Sequence, residues 1–190
     1  MRHESGPIPE MTTYRLLLRP FGEADAADVF TLLSSPEVAA GMLSIPFPYP
    51  PDLARTWIRS RRAAAEEGRA FSWAITLADT SELLGSVTLT PEPGQSRAEL
   101  GYWLGVPYWG RGYASEAVPA ALNFGFGTLA LHRIQATVFP RNPASARVLE
   151  KAGFRREGLL RGDAKKGGTF EDLILFARLR SDQDELSRLP

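Results

Sequence analysis

The chain has 190 residues, enough for one domain with a sizeable buried core. Basic and acidic residues balance at 22 each, so it lacks the excess of a general nucleic-acid binder and the charge signal of a membrane-surface protein. Cysteine is absent, which removes a disulfide frame, a thiol nucleophile and a thiolate metal site; with His3 and His132 as the only imidazoles, no metal centre is expected.

Residues Met1 to Pro7 carry no apolar stretch of the signal-peptide type, and no apolar run suits a membrane span. The expected address is the cytosol. Residues 1–11 read as a flexible tail, with Met11 open as an internal start. Tyr14 to Arg19 reads as a strand that Pro20 stops. Ala26, Val29, Phe30 and Leu33 fall on one helix face. Gly41 to Pro51 is a proline-rich loop carrying Phe47 and Tyr49, and Asp52 can cap a helix presenting Leu53, Trp57 and Ile58. Phe71, Trp73, Ile75 and Leu77 alternate as a strand does; Leu83 to Thr90 is the next, and Pro91 to Ser96 turns into a third, Arg97 to Leu104.

A helix is expected from about Gly112 to Phe126. Pro119 lies inside it, and an interior proline costs on the order of 3 kcal/mol, so a kink or break is expected near Ser115 to Pro119. Arg133 to Phe139 alternates as a half-buried strand. Asn142 can cap a helix that Pro143 starts and Gly153 ends. Phe154 to Leu160 and Phe170 to Leu179 form a hairpin across Lys166-Gly167-Gly168, and 181–190 is a polar tail. No internal repeat is present. Strands early and late with helices between make the class mixed α/β.

The stretch Tyr108-Trp109-Gly110-Arg111-Gly112-Tyr113-Ala114 joins the Arg97–Leu104 strand to the helix. Its glycines and alanine allow a tight turn and the close approach of a ligand. Outward amides at a helix N-terminus bind phosphate oxygens. A dinucleotide loop is disfavoured: Ser115 stands where the third glycine belongs, and Leu131-His132-Arg133 offers no ribose carboxylate. A mononucleotide P-loop is excluded by the lack of Gly-Lys-Ser/Thr. An ordinary strand-to-helix turn is the plain alternative.

The same stretch resembles the acetyl-coenzyme A loop of the GNAT N-acetyltransferases. That loop reads Gln or Arg, two residues, Gly, one residue, then Gly or Ala. Gly112 and Ala114 match, and Trp109 stands where Gln or Arg is usual. Asn142 to Phe154 resembles the family's next signature, Asn-x-x-Ser-x-x-Val/Leu-Leu/Tyr-x-x-x-Gly-Phe. Thr12–Val38, Ala98–Val118 and Phe154–Leu179 are similar to the RimJ/RimL-like branch, which acetylates the N-termini of ribosomal proteins. The resemblance covers about Thr12 to Arg180. It implies one acetyltransferase domain over 12–180, classed α/β (α+β). The implied sheet is mixed and mostly antiparallel, with about seven strands splayed at strand 4 and about four flanking helices.

The implied reaction moves an acetyl group from acetyl-CoA to a primary amine in a ternary complex. The acceptor is a protein N-terminus or a small-molecule amine, with nucleic acid and membrane not involved and a homodimer left open. Succinyl transfer, for which Arg155, Arg156 and Arg161 could meet a carboxylate, and a non-catalytic acyl-CoA-binding module are the alternatives.

Holding both reactants together supplies much of the rate without a covalent intermediate. The resemblance implies that the amides of Gly110, Arg111, Gly112, Tyr113 and Ala114 hold the pyrophosphate. The backbone of Leu104, Gly105 and Val106 would bond the pantetheine arm and polarise the acetyl oxygen, with Asn142 also on that arm. Glu99 is the candidate base, directly or through a bound water. By alternation it shares a face with Gly101 and Trp103, opposite Leu100, Tyr102 and Leu104. Its plain alternative is a surface carboxylate. Ser145 is the candidate acid toward the thiolate, or else simply bonds the helix end. Tyr113 is a second candidate donor, and His132 reads as a strand-entry residue.

Overall fold

The computed structural model describes residues 8–182. Its strands are β1 (Met11–Thr12), β2 (Leu16–Pro20), β3 (Phe71–Leu77), β4 (Leu83–Pro91), β5 (Arg97–Leu104), β6 (Arg133–Val138), β7 (Arg155–Lys166) and β8 (Thr169–Leu179). They form one sheet in the order β1-β2-β3-β4-β5-β6-β8-β7. Neighbours are antiparallel except β5 and β6. The helices are α1 (Ala26–Leu33), α2 (Pro36–Gly41), α3 (Leu53–Glu66), α4 (Tyr113–Asn123) and α5 (Pro143–Lys151).

This is the mixed, mostly antiparallel α/β class, with two additions to the expected elements. The two-residue β1 pairs Met11 with Leu18 and Thr12 with Leu17, which moves the splayed strand from fourth place to fifth. Helix α2 lies between the first expected helix and the proline-rich loop, ending at the Gly41 where that loop begins. Ser35 caps it by accepting from Val38 N at 3.3 Å, with Pro36 in the first turn.

The sheet buries both faces. Phe71, Trp73, Ile75, Val87, Leu89 and Leu100 pack with α4 and α5 on one side. Val29, Leu33 and Ile58 of α1 and α3 cover Ala74 and Trp103 on the other. Burial on two sides makes β3 inaccessible from Phe71 to Thr76, beyond the one-face alternation read from its sequence. Each fully buried Leu, Ile, Val or Phe contributes about 1.5–3 kcal/mol.

Helix α4 is continuous through Pro119, so the break expected near Ser115 to Pro119 does not occur. Ala117, Val118, Ala121 and Leu122 of this helix are buried. Their packing outweighs the roughly 3 kcal/mol penalty of an interior proline. The irregular turn comes at the end instead, as one wide π-type turn over Phe124–Thr128.

The chain is already packed at its first described residues. Ile8 is buried, and Trp73 Nε1 donates to Pro9 O at 2.9 Å. The rest of the expected N-terminal tail, His3 included, and the tail from 183 onward lie outside the described residues. No helix among the described residues is long and apolar enough to cross a membrane.

The β5–β6 pairing positions everything that follows. It comprises Arg97 with Arg133, Ala98 with Ile134 and Glu99 with Gln135. Beyond Glu99, β5 stays with β4 as far as Leu104, and β6 stays with β8 as far as Val138. The sheet therefore forks after Glu99.

Candidate active site

The loop leading into α4 turns through Gly110 at φ +72° and Gly112 at φ +81°. Those are left-handed values that glycine adopts without a Cβ penalty. Glu116 N is the first amide of this helix to be bonded, to Gly112 O at 3.1 Å. Among the described residues, no protein oxygen accepts from the amides of 110 to 115. A helix N-terminus in this state carries partial positive charge and unmet donors.

The one carboxylate in the first turn is turned aside. Glu116 Oε1 accepts from Thr13 Oγ1 and from Arg15 N, both at 2.6 Å, and Oε2 accepts from Arg15 Nε at 2.8 Å. Burial alone would raise the Glu116 pKa, but these hydrogen bonds outweigh it and hold the group below the usual carboxylate range. Arg15 also donates from Nη1 to Arg111 O at 3.0 Å and lies 4.5 Å from the Tyr113 ring centroid. The entry to β2 thus clamps the loop, and Tyr113 is engaged by a cation. Arg111 itself points into solvent-exposed surroundings.

Trp109 fills its unusual position with a donor. Its Nε1 donates to Leu104 O at 2.8 Å, which ties the loop to the end of β5. Gly105 N donates to Leu84 O at 2.9 Å. Of the expected backbone trio, Leu104 O and Gly105 N therefore already have partners, and Val106 N has no protein acceptor among the described residues. A Cβ on Gly85 would lie 2.0 Å from Trp103 O, so only glycine lets β4 close on β5 here.

Glu99 sits at the branch of the fork, opposite Thr90 on one side and Gln135 on the other. It accepts no protein hydrogen bond among the described residues, and a Cβ on its same-face neighbour Gly101 would meet open space. Trp103, next on that face, is buried under the α1–α3 layer. The protein around the Glu99 carboxylate raises its pKa by desolvation, although the residue stays open to solvent.

On the opposite face of β5, Tyr102 reaches α5. Its hydroxyl lies 2.7 Å from Ser145 Oγ and donates to Ser145 O at 3.0 Å. Burial is the main cause that pushes the phenol up to about 12, against the opposing bond from Ser145. Asn142 Oδ1 accepts from Ser145 N at 3.1 Å, the expected cap. The Asn142 side-chain NH2 has no protein acceptor among the described residues. Tyr102 is absent from the sequence candidates; strand alternation placed it on the face opposite Glu99, and only the fold shows that this face meets α5.

The end of α2 lies beside this helix start, since a Cβ on Gly41 would be 3.5 Å from Asn142 Nδ2. Next to it, a cavity of about 570 Å³ separates α2 and its following loop from the β7–β8 turn. Leu43, Ile45 and Phe47 line one wall and Lys165 and Lys166 the other. Lys166 Nζ donates to Met42 O, and Arg141 Nη2 to Ala40 O at 3.0 Å, so the hairpin is laced to the α2 segment. Phe47 is 56% exposed, whereas Tyr49 belongs to the α1–α3 core. His132 is exposed and enters β6 through His132 N to Ser96 O at 2.7 Å, remote in role from the fork. Arg155, Arg156 and Arg161 lie on an exposed stretch of β7.

Residues 15–155 match the acetyltransferase (GNAT) domain. The chain belongs to the GNAT acetyltransferase family. As a GNAT enzyme it is an N-acetyltransferase acting on amines. An uncharacterized N-acetyltransferase, p20, of Bacillus licheniformis is 36% identical over 90% of this chain and 96% of its own length. The ribosomal protein uS5-alanine N-acetyltransferase of Escherichia coli is 29% identical over 62% of this chain and 61% of its own. Among solved structures, a GNAT acetyltransferase of Bacillus anthracis superposes with a TM-score of 0.82 at 29% identity, covering 91% of this chain and 99% of that one. RimJ of Mycobacterium smegmatis in complex with CoA-disulfide gives 0.82 at 26% identity, covering 98% of each. The open, eight-stranded, mostly antiparallel sheet of this GNAT chain is thus shared with its solved relatives.

Proposed function

We propose that this GNAT enzyme transfers the acetyl group of acetyl-CoA directly to the N-terminal α-amine of a protein, a ribosomal protein being the first candidate. The observation that carries the reading is the run of unbonded amides from 110 to 115 beside a forked sheet. A diphosphate supplies the acceptors these donors lack, and Glu116, the one carboxylate that would repel it, is held by Thr13 and Arg15. The amides of Gly110 to Ala114 would hold the pyrophosphate, with Arg111 adding charge. The Val106 amide and the Asn142 side-chain amide would take the pantetheine arm and the acetyl oxygen, the Leu104 carbonyl and the Gly105 amide being already bonded within the protein.

Glu99 would accept the ammonium proton of the acceptor, directly or through water, so that a neutral amine attacks. A carboxylate with a raised pKa is better matched to that transfer than an ordinary one. The Ser145 hydroxyl would face the departing thiolate. The cavity between the α2 loop and the β7–β8 turn supports an acceptor longer than a small amine, because its apolar wall would bury side chains that follow the reacting terminus. RimJ with bound CoA-disulfide and the uS5-alanine enzyme support the donor and the acceptor class respectively. Such acceptors are met in the cytosol.

The test is mass spectrometry of a panel of peptides and small amines after incubation with acetyl-CoA, with released thiol measured in parallel. Acetylation of peptide α-amines is expected. Acetylation confined to small amines would replace the acceptor, and tight acetyl-CoA binding without thiol release would mark a binding module.

A further inference from the structure

Resting on the acetyl-transfer reading above, we infer that Tyr102 is a positioning residue: its phenol decides whether the Ser145 hydroxyl hydrogen is presented to the departing sulfur. Tyr102 has one hydrogen to give and two acceptors within reach, Ser145 Oγ at 2.7 Å and Ser145 O at 3.0 Å. Two arrangements satisfy this geometry. In the first, Tyr102 donates to Ser145 O, and Ser145 donates back to the phenol oxygen. Both hydrogens are then held inside the pair. In the second, Tyr102 donates to Ser145 Oγ, and the serine hydrogen is free to point outward. Rotation of two hydroxyls interconverts them without moving a heavy atom. An anion in front of Ser145 stabilises only the second, so arriving negative charge selects it.

Magnitudes limit what this pair does. Burial pushes the Tyr102 phenol up to about 12, so it keeps its hydrogen at neutral pH. An ordinary thiol has a pKa of about 8.5. The thiolate is thus too weak a base to take the pair's proton, and the pair acts as a hydrogen-bond donor. The carbon–nitrogen bond forms, the carbon–sulfur bond breaks, and the electron pair stays on sulfur. The ammonium proton goes to Glu99 or its water before attack, the second nitrogen proton passes to solvent water as the amide forms, and sulfur is protonated later from solvent. Ser145 is thereby recast from acid to anion stabiliser, and its helix N-terminus adds charge of the same sign.

The test compares Tyr102→Phe, Ser145→Ala and the double variant. In the first readout, the thiol of bound coenzyme A is titrated by its thiolate absorbance, which needs no acceptor amine. Its pKa should lie below that of free coenzyme A in the parent and rise in both single variants. The double variant should match Ser145→Ala. In the second, Tyr102→Phe should lower kcat about tenfold, the scale of one hydrogen bond, with KM for both substrates unchanged. In the Ser145→Ala background the same change should cost less than about twofold. Equal losses in both backgrounds, or a bound-thiol pKa unmoved by Tyr102→Phe, would overturn the assignment. A parent that acetylates no amine yet shows the Tyr102-dependent thiol pKa would sink the transfer reading alone. Failure to bind coenzyme A would sink both.

Discussion

Glu99 and Gln135 are the last residues at which β5 and β6 remain in register. One residue on, the two strands have different partners, and their facing edges have no ladder between them. An exposed carboxylate, a capped helix start and a loop of unbonded amides all border that opening. Tyr102 and Trp109 tie the start of α5 and the amide loop to the same strand whose branch carries Glu99.

Glu99→Gln should lower turnover by about a hundredfold while leaving the dissociation constant for acetyl-CoA within about twofold. The Glu99 pKa is raised, and a base works only when deprotonated. Activity of the parent should therefore fall as pH drops through an inflection above the usual carboxylate range. That inflection should vanish in Glu99→Gln, while the one belonging to the amine acceptor stays. A parent and variant with superimposable pH–rate curves would assign the base to another group.

Gly112→Asp should abolish coenzyme A binding in calorimetry. It adds a negative charge where the pyrophosphate is expected and forces a side chain onto φ +81°. Gly112→Ala carries the backbone strain without the charge, about 1 kcal/mol, and should weaken binding less. If the two variants bind alike, charge at this position is irrelevant and the phosphate placement is wrong.

Glu116→Gln should destabilise the fold by about 2 kcal/mol at neutral pH, because charge-assisted bonds to Thr13 and Arg15 are lost or weakened. The folded-state pKa of Glu116 lies below its unfolded value. Its contribution is thus fully present above the unfolded pKa and is lost as pH falls through the folded one. Urea melts of parent and variant should diverge at pH 7 and converge in acid. A constant gap between them at every pH would mean that the carboxylate's charge plays no part.

What could be read from the chain was what is local. The alternation of Ile134, Ala136 and Val138 gives β6, and Asn142-Pro143 with Gly153 gives α5 and its ends. The short α2 had a comparable signal in Ser35-Pro36, overshadowed by the prolines that follow. Pro119 misled because a propensity penalty is fixed in advance, whereas the burial of Val118 and Leu122 depends on the rest of the fold. The site divides the same way. The loop glycines and Ser145 are motif residues. The partners that set their chemistry lie far along the chain: Tyr102 is 43 residues from Ser145, and Arg15 is 101 from Glu116. The bond from Gly105 N to Leu84 O, which leaves Val106 as the open amide, has no local sequence signal either.

The tether from Trp109 to Leu104 O gives the molecule a built-in optical gauge. Trp73 and Trp103 are sealed in the two cores and Trp57 packs half-buried against Phe21, while Trp109 is 47% exposed beside the unbonded amides of its loop. Fluorescence from that one ring should respond when the loop fills and stay silent to events elsewhere, so occupancy can be followed in unlabelled protein, with Trp109→Phe as the blank.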